Sequence, residues 1–333
     1  MRIAIDALGG DHVPAAPVAG AVQAVSSYDD VTIVLVGDPA TIAPELEKHG
    51  AANHDRIEIH DAPEAVGYED PVKSIRGSDR VSARACADLL RGGSVDGVLT
   101  MGSTGAAVAA ATLYCRRLPG VKRTGIAVPL PTPDGVCVCI DGGANPDAKP
   151  LNLHQYAVMA MHYAKAAMGI ENPRIGIMSI GEEETKGNRL VQETWDVFRA
   201  NPLPGFIGNI EPHAVFEGGA DVIVCDGFTG NIVLKAAEGM AAFIMNAVPR
   251  ALGAAGIEGD PRVLLGALMQ SVDYSQYGGA PLLGVEGAYL IGHGRSGPEA
   301  FKNGVRAIRA YVQGKTGDRI VEALAATKEE TGA

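Results

Sequence analysis

Six apolar, β-rich segments of this chain each end in a loop of Gly, Asp, Asn, Ser or Thr, after which a helical pattern begins. The loops lie at 6–11, 37–38, 100–105, 141–147, 179–188 and 226–231. A repeated order of strand, polar loop and helix is typical of βα units on a mostly parallel sheet. Ligands of such sheets bind beyond the carboxyl ends of the strands, where helix N-termini present free N–H groups. The sequence therefore predicts an α/β enzyme that handles a small anion.

The apolar segments and the helical patterns between them define the candidate elements. Strands are predicted at 2–6, 31–36, 56–60, 95–100, 125–130, 136–141, 174–180 and 221–225. Helices are predicted at 71–91, 105–117, 151–168, 185–200, 231–252, 261–272 and 298–313. A short turn of Pro, Thr, Asp and Gly separates the strands at 125–130 and 136–141, which indicates an antiparallel hairpin. No long linker divides the chain, so we expect a single α/β domain over 1–333 with helices protruding at about 231–275.

The bulk composition limits the classes of partner. A net charge of −11 disfavours a nucleic-acid partner, because nucleic-acid binding needs a positive surface. The chain opens on an apolar strand and has no run of roughly 18 uncharged apolar residues, so we expect neither a signal peptide nor a membrane span. The five cysteines are odd in number and lie mostly in apolar segments. This is typical of reduced core residues in a cytosolic protein.

Motifs of several cofactor and catalytic sites were sought in the sequence. The loop after the first strand lacks GxGxxG spacing, so the usual dinucleotide signature is missing there, and no GxxxxGK[ST] segment of a P-loop occurs. The histidines show no HExxH or other metal-ligand spacing, and no GxSxG elbow is present. We therefore expect no metal and no cofactor, and we do not expect a serine hydrolase.

The segment GEEETKGN at 181–188 contains the most informative candidate residue. Its three glutamates have an ordinary explanation, because acidic side chains stabilise the N-terminus of a helix through the helix dipole. That explanation does not extend to Lys186, since a cation in a first helical turn is unfavourable unless an anion lies nearby. We interpret Lys186 as an anion-binding residue.

Other loops contain candidates that have helix capping as an alternative role. Asn231 ends the segment GFTGN, and its amide either caps a helix or donates to an oxyanion. The segment GSTG at 102–105 precedes an Ala-rich helix and forms either a cap or an anion-binding nest. The candidate substrate- and phosphate-binding residues are Asp6, Gly9, Gly10, Asp11, Ser103, Thr104, Gly105, Gly142, Asn145, Lys149 and Asn188.

Several longer segments together resemble the phosphate acyltransferase family of bacterial phospholipid synthesis (the PlsX family). The matching strings are IDALGGDH, DPVKSIR, GSTGA, DGGANPDAKP, SIGEEETKGN, GFIGNIEP, DVIVCDGFTGNIVLKAAEG and YGGAPLLGVEGAYLIGHGRS, and the resemblance runs from residue 1 to about 315. Leu8 stands where the family usually has Met, and Ser103 where Asn is frequent, although both loops keep their type.

The resemblance implies a fold, an activity and partners. The implied fold is a three-layer α/β/α sandwich with a mostly parallel sheet, related to phosphotransacetylases and isocitrate-dehydrogenase-like enzymes. The implied activity is transfer of a fatty acyl group from acyl-[acyl carrier protein] to orthophosphate, with Lys186 and Asn231 as the catalytic pair. A homodimer, peripheral contact with the cytoplasmic membrane surface and a downstream glycerol-3-phosphate acyltransferase are also implied.

An acidic carrier protein would have to dock on a chain that is itself acidic, so a local basic cluster is expected. The first candidate cluster contains Arg116, Arg117, Lys122 and Arg123, and the second contains Lys73, Arg76, Arg80 and Arg84. Either cluster has ordinary solvated surface as its alternative explanation.

Two apolar helical patterns predict the dimer and membrane contacts. The helix at 231–252 is expected at the dimer interface, and the helix at 261–272 is expected to present one apolar face reversibly to the bilayer. The membrane-facing candidates are Leu264, Leu265, Leu268 and Met269. The alternative is a purely structural role, in which these helices bury one another across the dimer.

Three other functions are compatible with parts of the sequence. A phosphotransacetylase-like enzyme that uses acyl-CoA would have the same loops. An NAD-dependent hydroxyacid dehydrogenase of the related fold would need nicotinamide binding and usually a metal-binding aspartate set, which the sequence does not display. A membrane-recruited scaffold would not require Lys186 and Asn231 at strand ends.

Overall fold

Parallel strands form two sheets in the structure, a computed structural model that describes residues 1–66, 71–133, 135–254, 256 and 274–326. The strands are β1 (Arg2–Asp6), β2 (Thr32–Gly37), β3 (Ile57–Asp61), β4 (Gly97–Thr100), β5 (Gly125–Ile126), β6 (Val128–Thr132), β7 (Gly135–Ile140), β8 (Ile175–Met178), β9 (Phe206–Ile210), β10 (Val222–Val224), β11 (Ala280–Leu283) and β12 (Ala288–Ile291). The described helices are α1 (Ala15–Ser27), α2 (Pro39–Lys48), α3 (Pro71–Gly77), α4 (Ser82–Arg91), α5 (Thr104–Tyr114), α6 (Pro150–Met168), α7 (Arg189–Ala200), α8 (Pro212–Phe216), α9 (Gly227–Ala254), α10 (Pro298–Gln313) and α11 (Thr316–Ala325). A 3-10 turn lies at Tyr274–Tyr277.

The first sheet has seven strands in the order β3-β2-β1-β4-β12-β11-β5. Strands β3, β2, β1, β4 and β12 pair in parallel, and β11 is antiparallel to both of its neighbours. The second sheet has five strands in the order β6-β7-β10-β8-β9, all paired in parallel except for the β6–β7 pair. The mostly parallel α/β fold and the predicted hairpin are therefore confirmed.

Both faces of each sheet are covered, as expected for parallel strands with continuous apolar sequences. Along β2, Ile33 and Leu35 belong to one buried cluster, whereas the alternating Val34 and Val36 belong to another. Alternation places successive side chains on opposite faces of a strand, so the two clusters mark two layers around the sheet. The first cluster also contains Val138 and other residues of the second sheet, so buried side chains connect the two sheets.

Several predicted boundaries are wrong. The predicted strand at 125–130 is divided, because β5 pairs with β11 in the first sheet while β6 pairs with β7 in the second. The predicted helix at 71–91 consists of two helices, α3 and α4. Strands β9, β11 and β12 were not predicted from the sequence, and α9 begins at Gly227, four residues before its predicted start at 231.

Helix α9 is apolar and exposed over most of its length. Of its described side chains only Gly227 and Gly230 are buried, while Met240 and Phe243 are 58% and 67% exposed. By length and composition alone it is apolar enough to cross a membrane. The predicted membrane-facing helix at 261–272, with Leu264, Leu265, Leu268 and Met269, lies outside the described residues.

Candidate active site

The central strands of the five-stranded sheet bring three of the polar loops together. Strand β10 lies between β7 and β8 and is parallel to both, with Val224 level with Ile140 and Ile177. The loops that follow these strands, at 141–147, 226–231 and 179–188, therefore leave the same edge of the sheet side by side. They contain both predicted catalytic residues, Lys186 and Asn231.

A buried carboxylate organises the first of these loops. Asp141 is fully buried, and its Oδ1 accepts hydrogen bonds from the backbone N–H groups of Ile126 (3.0 Å), Gly143 (3.0 Å) and Ala144 (2.9 Å). The N–H of Gly142 donates to the carbonyl of Ile126 at 2.8 Å. The N–H groups of Gly142, a predicted phosphate-binding residue, and of Gly143 thus both donate to acceptors within the protein.

Asn145 and Lys149 occupy different environments at the far end of this loop. The Asn145 amide nitrogen donates to the Tyr156 hydroxyl at 2.9 Å and to the Thr124 carbonyl, so this side chain ties the loop to α6 and to the segment before β5. Lys149 is exposed just before α6, and its ammonium group has no ion-pair partner among the described residues.

Asn231 lies in the second turn of α9. The side chain of Asp226 caps this helix by accepting hydrogen bonds from the Thr229 N–H (2.8 Å) and hydroxyl (2.9 Å). The predicted alternative that Asn231 is the cap is therefore wrong. Its carboxamide is exposed and has no hydrogen-bond partner within the described part of the chain. A Cβ built on Gly143 would lie 3.7 Å from the Asn231 Oδ1, so the first and second loops meet at these two residues.

Lys186 lies in the loop before α7 and outside the helix. Asn188 caps α7, because its Oδ1 accepts a hydrogen bond from the Val191 N–H at 3.0 Å. The prediction that the helix starts at 185 is wrong, and Gly187, with φ +99°, explains why a regular helix cannot include this turn. Asn188, a predicted phosphate ligand, is engaged in capping.

The Lys186 ammonium is an exposed cation. Among the residues that the structure describes, no carboxylate oxygen lies within 4.0 Å of the Lys186 Nζ. The neighbouring Glu184 instead pairs with Arg199 near the end of α7, so its proposed interaction with the helix N-terminus is wrong. An unpaired ammonium group beside an acidic segment is free to bind an anion from solution.

Ser179 is a site residue that sequence reasoning missed. It directly follows β8 and is only 6% exposed, and its hydroxyl has no hydrogen-bond partner among the described residues. A Cβ built on Gly187 would lie 3.0 Å from the Ser179 Oγ, so the hydroxyl faces the turn that contains Lys186. A buried polar group without a protein partner is uncommon, and an ordered water or a ligand can satisfy it. No sequence pattern distinguishes it from other serines at strand ends.

The remaining candidates lie at the carboxyl edge of the seven-stranded sheet. The buried Asp6 accepts a hydrogen bond from the Thr100 hydroxyl at 2.9 Å and from the Leu8 N–H at 3.2 Å. Burial raises the pKa of Asp6, while hydrogen bonds from Ser82 and Thr100 act in the opposite direction. A small pocket forms over this carboxylate; the residues lining it include Asp6, Gly9, Gly10, Ser82, Thr100 and Ser103.

The predicted nest at 102–105 acts at least partly as a helix cap. The Ser103 Oγ accepts a hydrogen bond from the Ala106 N–H at 3.3 Å, and α5 begins at Thr104, followed by Gly105. Asp11 is exposed, and its N–H donates to the Gly294 carbonyl at 2.8 Å. The structure therefore places Asp6, Gly9, Gly10, Asp11 and the α5 start on one sheet, and Lys186 with Asn231 on the other.

No metal centre emerges from the described residues, among which no group of three His, Cys, Asp or Glu side chains could hold an ion. The five cysteines are unpaired, and all except the partly buried Cys115 are buried.

Two sheets of mostly parallel strands, with polar loops at their carboxyl edges, define an α/β fold of the phosphotransacetylase class. A phosphotransacetylase structure from Streptococcus pyogenes has a TM-score of 0.60 and 18% identity, and the match covers 94% of each chain. The EutD phosphotransacetylase from Staphylococcus aureus has a TM-score of 0.59 and 17% identity over 93% of this chain and 94% of its own. At these identities the likeness concerns the fold alone.

Family membership follows from the sequence comparisons. The family model described as "Fatty acid synthesis protein" matches residues 1–318, and the chain belongs to this family. A relative from Desulforamulus reducens named "Phosphate acyltransferase" is 42% identical over 317 residues, which cover 94% of each chain. The family that the sequence resembles is thereby confirmed, and the chain is an acyltransferase.

Proposed function

We propose that this chain transfers a fatty acyl group reversibly from acyl-[acyl carrier protein] to orthophosphate, giving acyl phosphate for phospholipid synthesis. The observation that carries the proposal is the exposed Lys186 ammonium, which has no carboxylate partner within the described residues, on the loop next to that of Asn231. A compact point charge of this kind suits a phosphate dianion or a carbonyl oxygen that is becoming negative.

The reaction needs two negative groups to be held together. A phosphate oxygen attacks the thioester carbonyl carbon and forms the new C–O bond. The C–S bond then breaks, and the thiolate leaves with the bonding pair and takes a proton from phosphate or water. In this proposal Lys186 stabilises the negative charge of one of two groups, phosphate or the developing oxyanion. The amide N–H of Asn231 donates a hydrogen bond to the other group.

Further groups of the site complete the proposed arrangement. The unpartnered Ser179 hydroxyl would bind a phosphate oxygen beside Lys186. Ile180, which follows Ser179, is 80% exposed, and Phe228, near the start of α9, is 64% exposed. Exposed apolar side chains next to the reacting groups suit the first carbons of a fatty acyl chain. Other parts of the substrates would be contacted by the candidates on the first sheet, namely the start of α5 and Asp6, Gly9, Gly10 and Asp11.

The proposed setting includes a second copy and a membrane. The exposed apolar side chains of α9 support a homodimer through this helix. We propose a cytoplasmic enzyme with reversible peripheral contact to the membrane, where a glycerol-3-phosphate acyltransferase consumes the acyl phosphate. The alternative donor is acyl-CoA, since the phosphotransacetylase fold is shared.

A direct assay tests the proposed reaction. The pure protein is mixed with phosphate and with palmitoyl-carrier protein, palmitoyl-CoA or a palmitoyl-pantetheine thioester, and acyl phosphate and free thiol are measured. Phosphate-dependent release of thiol with acyl phosphate formation, fastest with the carrier protein, is expected. A strong preference for CoA would support the alternative donor, and no acyl phosphate from any thioester would contradict acyl transfer.

A further inference from the structure

Three arginines of one basic cluster form an exposed positive surface. Arg116, Arg117 and Arg123, called here the arginine patch, are all exposed. In the part of the chain that the structure describes, none of the three has a carboxylate within 4.0 Å. Arg117 donates to the backbone carbonyl of Lys122, which leaves its charge uncompensated. On a chain with a net charge of −11, such a patch is unusual.

The second cluster is different because at least two of its basic residues, Arg80 and Arg84, have carboxylate partners. Arg80 lies 3.6 Å from Asp61 and 3.9 Å from Glu64. Arg84 lies 3.4 Å from Asp88, and its guanidinium group stacks on the Tyr114 ring at 4.5 Å from the centroid. An acidic partner would have to compete with these contacts. The structure thus distinguishes two clusters that look equivalent in the sequence.

The arginine patch is fixed to the loop that contacts Asn231. Gln155 of α6 donates to the Gly120 carbonyl and accepts from the Lys122 N–H, both at 2.9 Å. Two residues after Lys122, the Thr124 carbonyl accepts a hydrogen bond from the Asn145 amide. The patch is therefore attached to one end of the 141–145 loop, while Gly143 of the same loop packs against Asn231.

The positive charge of Arg123 acts electrostatically on a side chain that contacts this loop, that of Tyr156. Burial raises the pKa of Tyr156 far above its ordinary value, the nearby Asp141 raises it further, and the Arg123 guanidinium acts in the opposite direction. Because the Tyr156 hydroxyl accepts a hydrogen bond from Asn145, Arg123 lies within electrostatic range of the loop that leads to Asn231.

We propose that the arginine patch is the docking surface for the acidic carrier protein that delivers the acyl thioester. The inference rests on the proposed function, and it assigns the partner to one of two possible surfaces. An acidic protein with a thioester on a flexible arm can bind the patch while its arm extends along the 141–145 loop to Asn231. A lipid surface is the less suitable occupant, because the arginine patch with Lys122 only reaches the lower limit of the about four to eight basic residues that usually bind anionic lipid.

Charge reversal at two positions tests the proposal. The variant Arg116→Glu/Arg123→Glu leaves Arg117 and its bond to Lys122 in place. We expect its KM for palmitoyl-carrier protein to rise at least about tenfold, with a weaker salt dependence of kcat/KM than in the wild type. The matched control is Arg80→Glu/Arg84→Glu in the neutralised cluster, for which we expect a KM within about twofold of the wild-type value. An unchanged KM in the patch variant would overturn the proposal.

An uncharged donor separates docking from chemistry and from folding. Palmitoyl-pantetheine carries the same arm without the protein, and the patch variant should turn it over at the wild-type rate. Equal losses with both donors would mean that the substitutions damage the site, which overturns the docking role. The milder Arg116→Gln/Arg123→Gln variant should raise the carrier KM by a smaller factor, and no increase would contradict an electrostatic contact.

Two further measurements distinguish this proposal from its alternatives. Loss of co-sedimentation with phosphatidylserine vesicles, without a change in carrier KM, would assign the patch to lipid. If the wild-type protein transfers no acyl group from any thioester, the proposed function fails, but anisotropy of a labelled carrier protein still tests docking. Binding that disappears in the patch variant and persists in the Arg80/Arg84 control supports the surface independently of turnover.

Discussion

The carbonyl oxygen of Asp141 occupies the space that a side chain on Gly230 would need. This close approach packs the start of α9 against the buried Asp141 loop and so sets the position of Asn231. By contrast, a Cβ built on Gly239 of the same helix would have no described atom within 4 Å apart from the neighbouring backbone of the helix itself. One helix therefore contains a glycine that the site requires and a glycine that it does not.

We expect Gly230→Ala to destabilise the protein by about 1–3 kcal/mol, the usual cost of overpacking. Activity should fall by as much as ~100-fold, because displacement of a positioned group by about 1 Å can have this effect. Gly239→Ala should be neutral or should stabilise the fold by up to about 1 kcal/mol, since alanine is the better helix former. Urea unfolding and acyl-phosphate assays of both variants measure the contrast. Equal behaviour of the two variants would argue against the packing role of Gly230.

Lys186→Ala should leave a folded protein whose acyl transfer is reduced at least ~100-fold. Loss of one donor that stabilises transition-state charge typically costs about 2.7–4 kcal/mol. Lys186→Arg keeps the charge and should recover part of the rate. The control is Lys48→Ala on α2, an exposed lysine paired with Glu45, which should have wild-type kinetics. Near wild-type turnover of Lys186→Ala would remove this residue from the mechanism.

Ser179→Ala should separate stability from activity. The hydroxyl has no partner among the described residues, so its removal breaks no hydrogen bond to them and should not lower the free energy of unfolding. The KM for phosphate should rise at least about tenfold, because a hydrogen bond to a charged group contributes about 1.5–3 kcal/mol. Thr194→Ala, which breaks a 2.7 Å bond to the Leu190 carbonyl in α7, should show the reverse pattern. A Ser179→Ala variant with unchanged phosphate kinetics would contradict the assigned role.

How far the sequence predicted this structure depended on the kind of information each element needs. Continuous apolar strands such as β1 and β2 were predicted because burial on both faces leaves a local signature. Strand β9 contains Gly208 at φ +99°, and β11 is only four residues long and includes Pro281, so neither has such a signature. The α7 start was misplaced because acids and a threonine resemble a helix N-terminus, whereas Gly187 prevents a helix there.

The site shows the same division between local and tertiary information. Lys186 and Asn231 were found from loop composition and family resemblance, and parallel pairing of β8 and β10 explains why their loops are neighbours. The hydrogen bonds that Asp141 accepts from backbone N–H groups could not be predicted, because one of the donors, the Ile126 N–H, belongs to a different sheet. The unpaired Ser179 hydroxyl is likewise a property of the folded surroundings.

Asp6→Asn should change how stability depends on pH. Burial raises the pKa of Asp6 above its ordinary value of 3.8, although hydrogen bonds from Ser82 and Thr100 oppose the shift. The folded protein therefore binds this proton more tightly than the unfolded chain does. The wild type loses stability as pH rises from the ordinary pKa to the folded pKa, by at most about 1.4 kcal/mol per pH unit. The variant lacks this loss.

Urea unfolding of both proteins from acidic to neutral pH measures the effect of Asp6. The free energy of unfolding of Asp6→Asn minus that of the wild type should increase with pH across this window and then become constant. Altered hydrogen bonds to Thr100 add only a constant offset, which does not affect the slope. A difference that is independent of pH would show that the folded and unfolded pKa values of Asp6 are equal.

Met240→Glu/Phe243→Glu tests the predicted dimer contact of α9. The two side chains are three residues apart on one helical face, and both are largely exposed in the single chain, so the double variant should fold. If α9 packs against a second copy, loss of two buried side chains should weaken the dimer by about 3–6 kcal/mol, which is at least ~100-fold in dissociation constant. Sedimentation velocity at several concentrations measures the shift.

Ile207→Glu, at a 46% exposed apolar position on β9, is the control and should remain dimeric. A double variant that stays dimeric but no longer sediments with vesicles would place α9 at the membrane and leave the dimer contact to another surface.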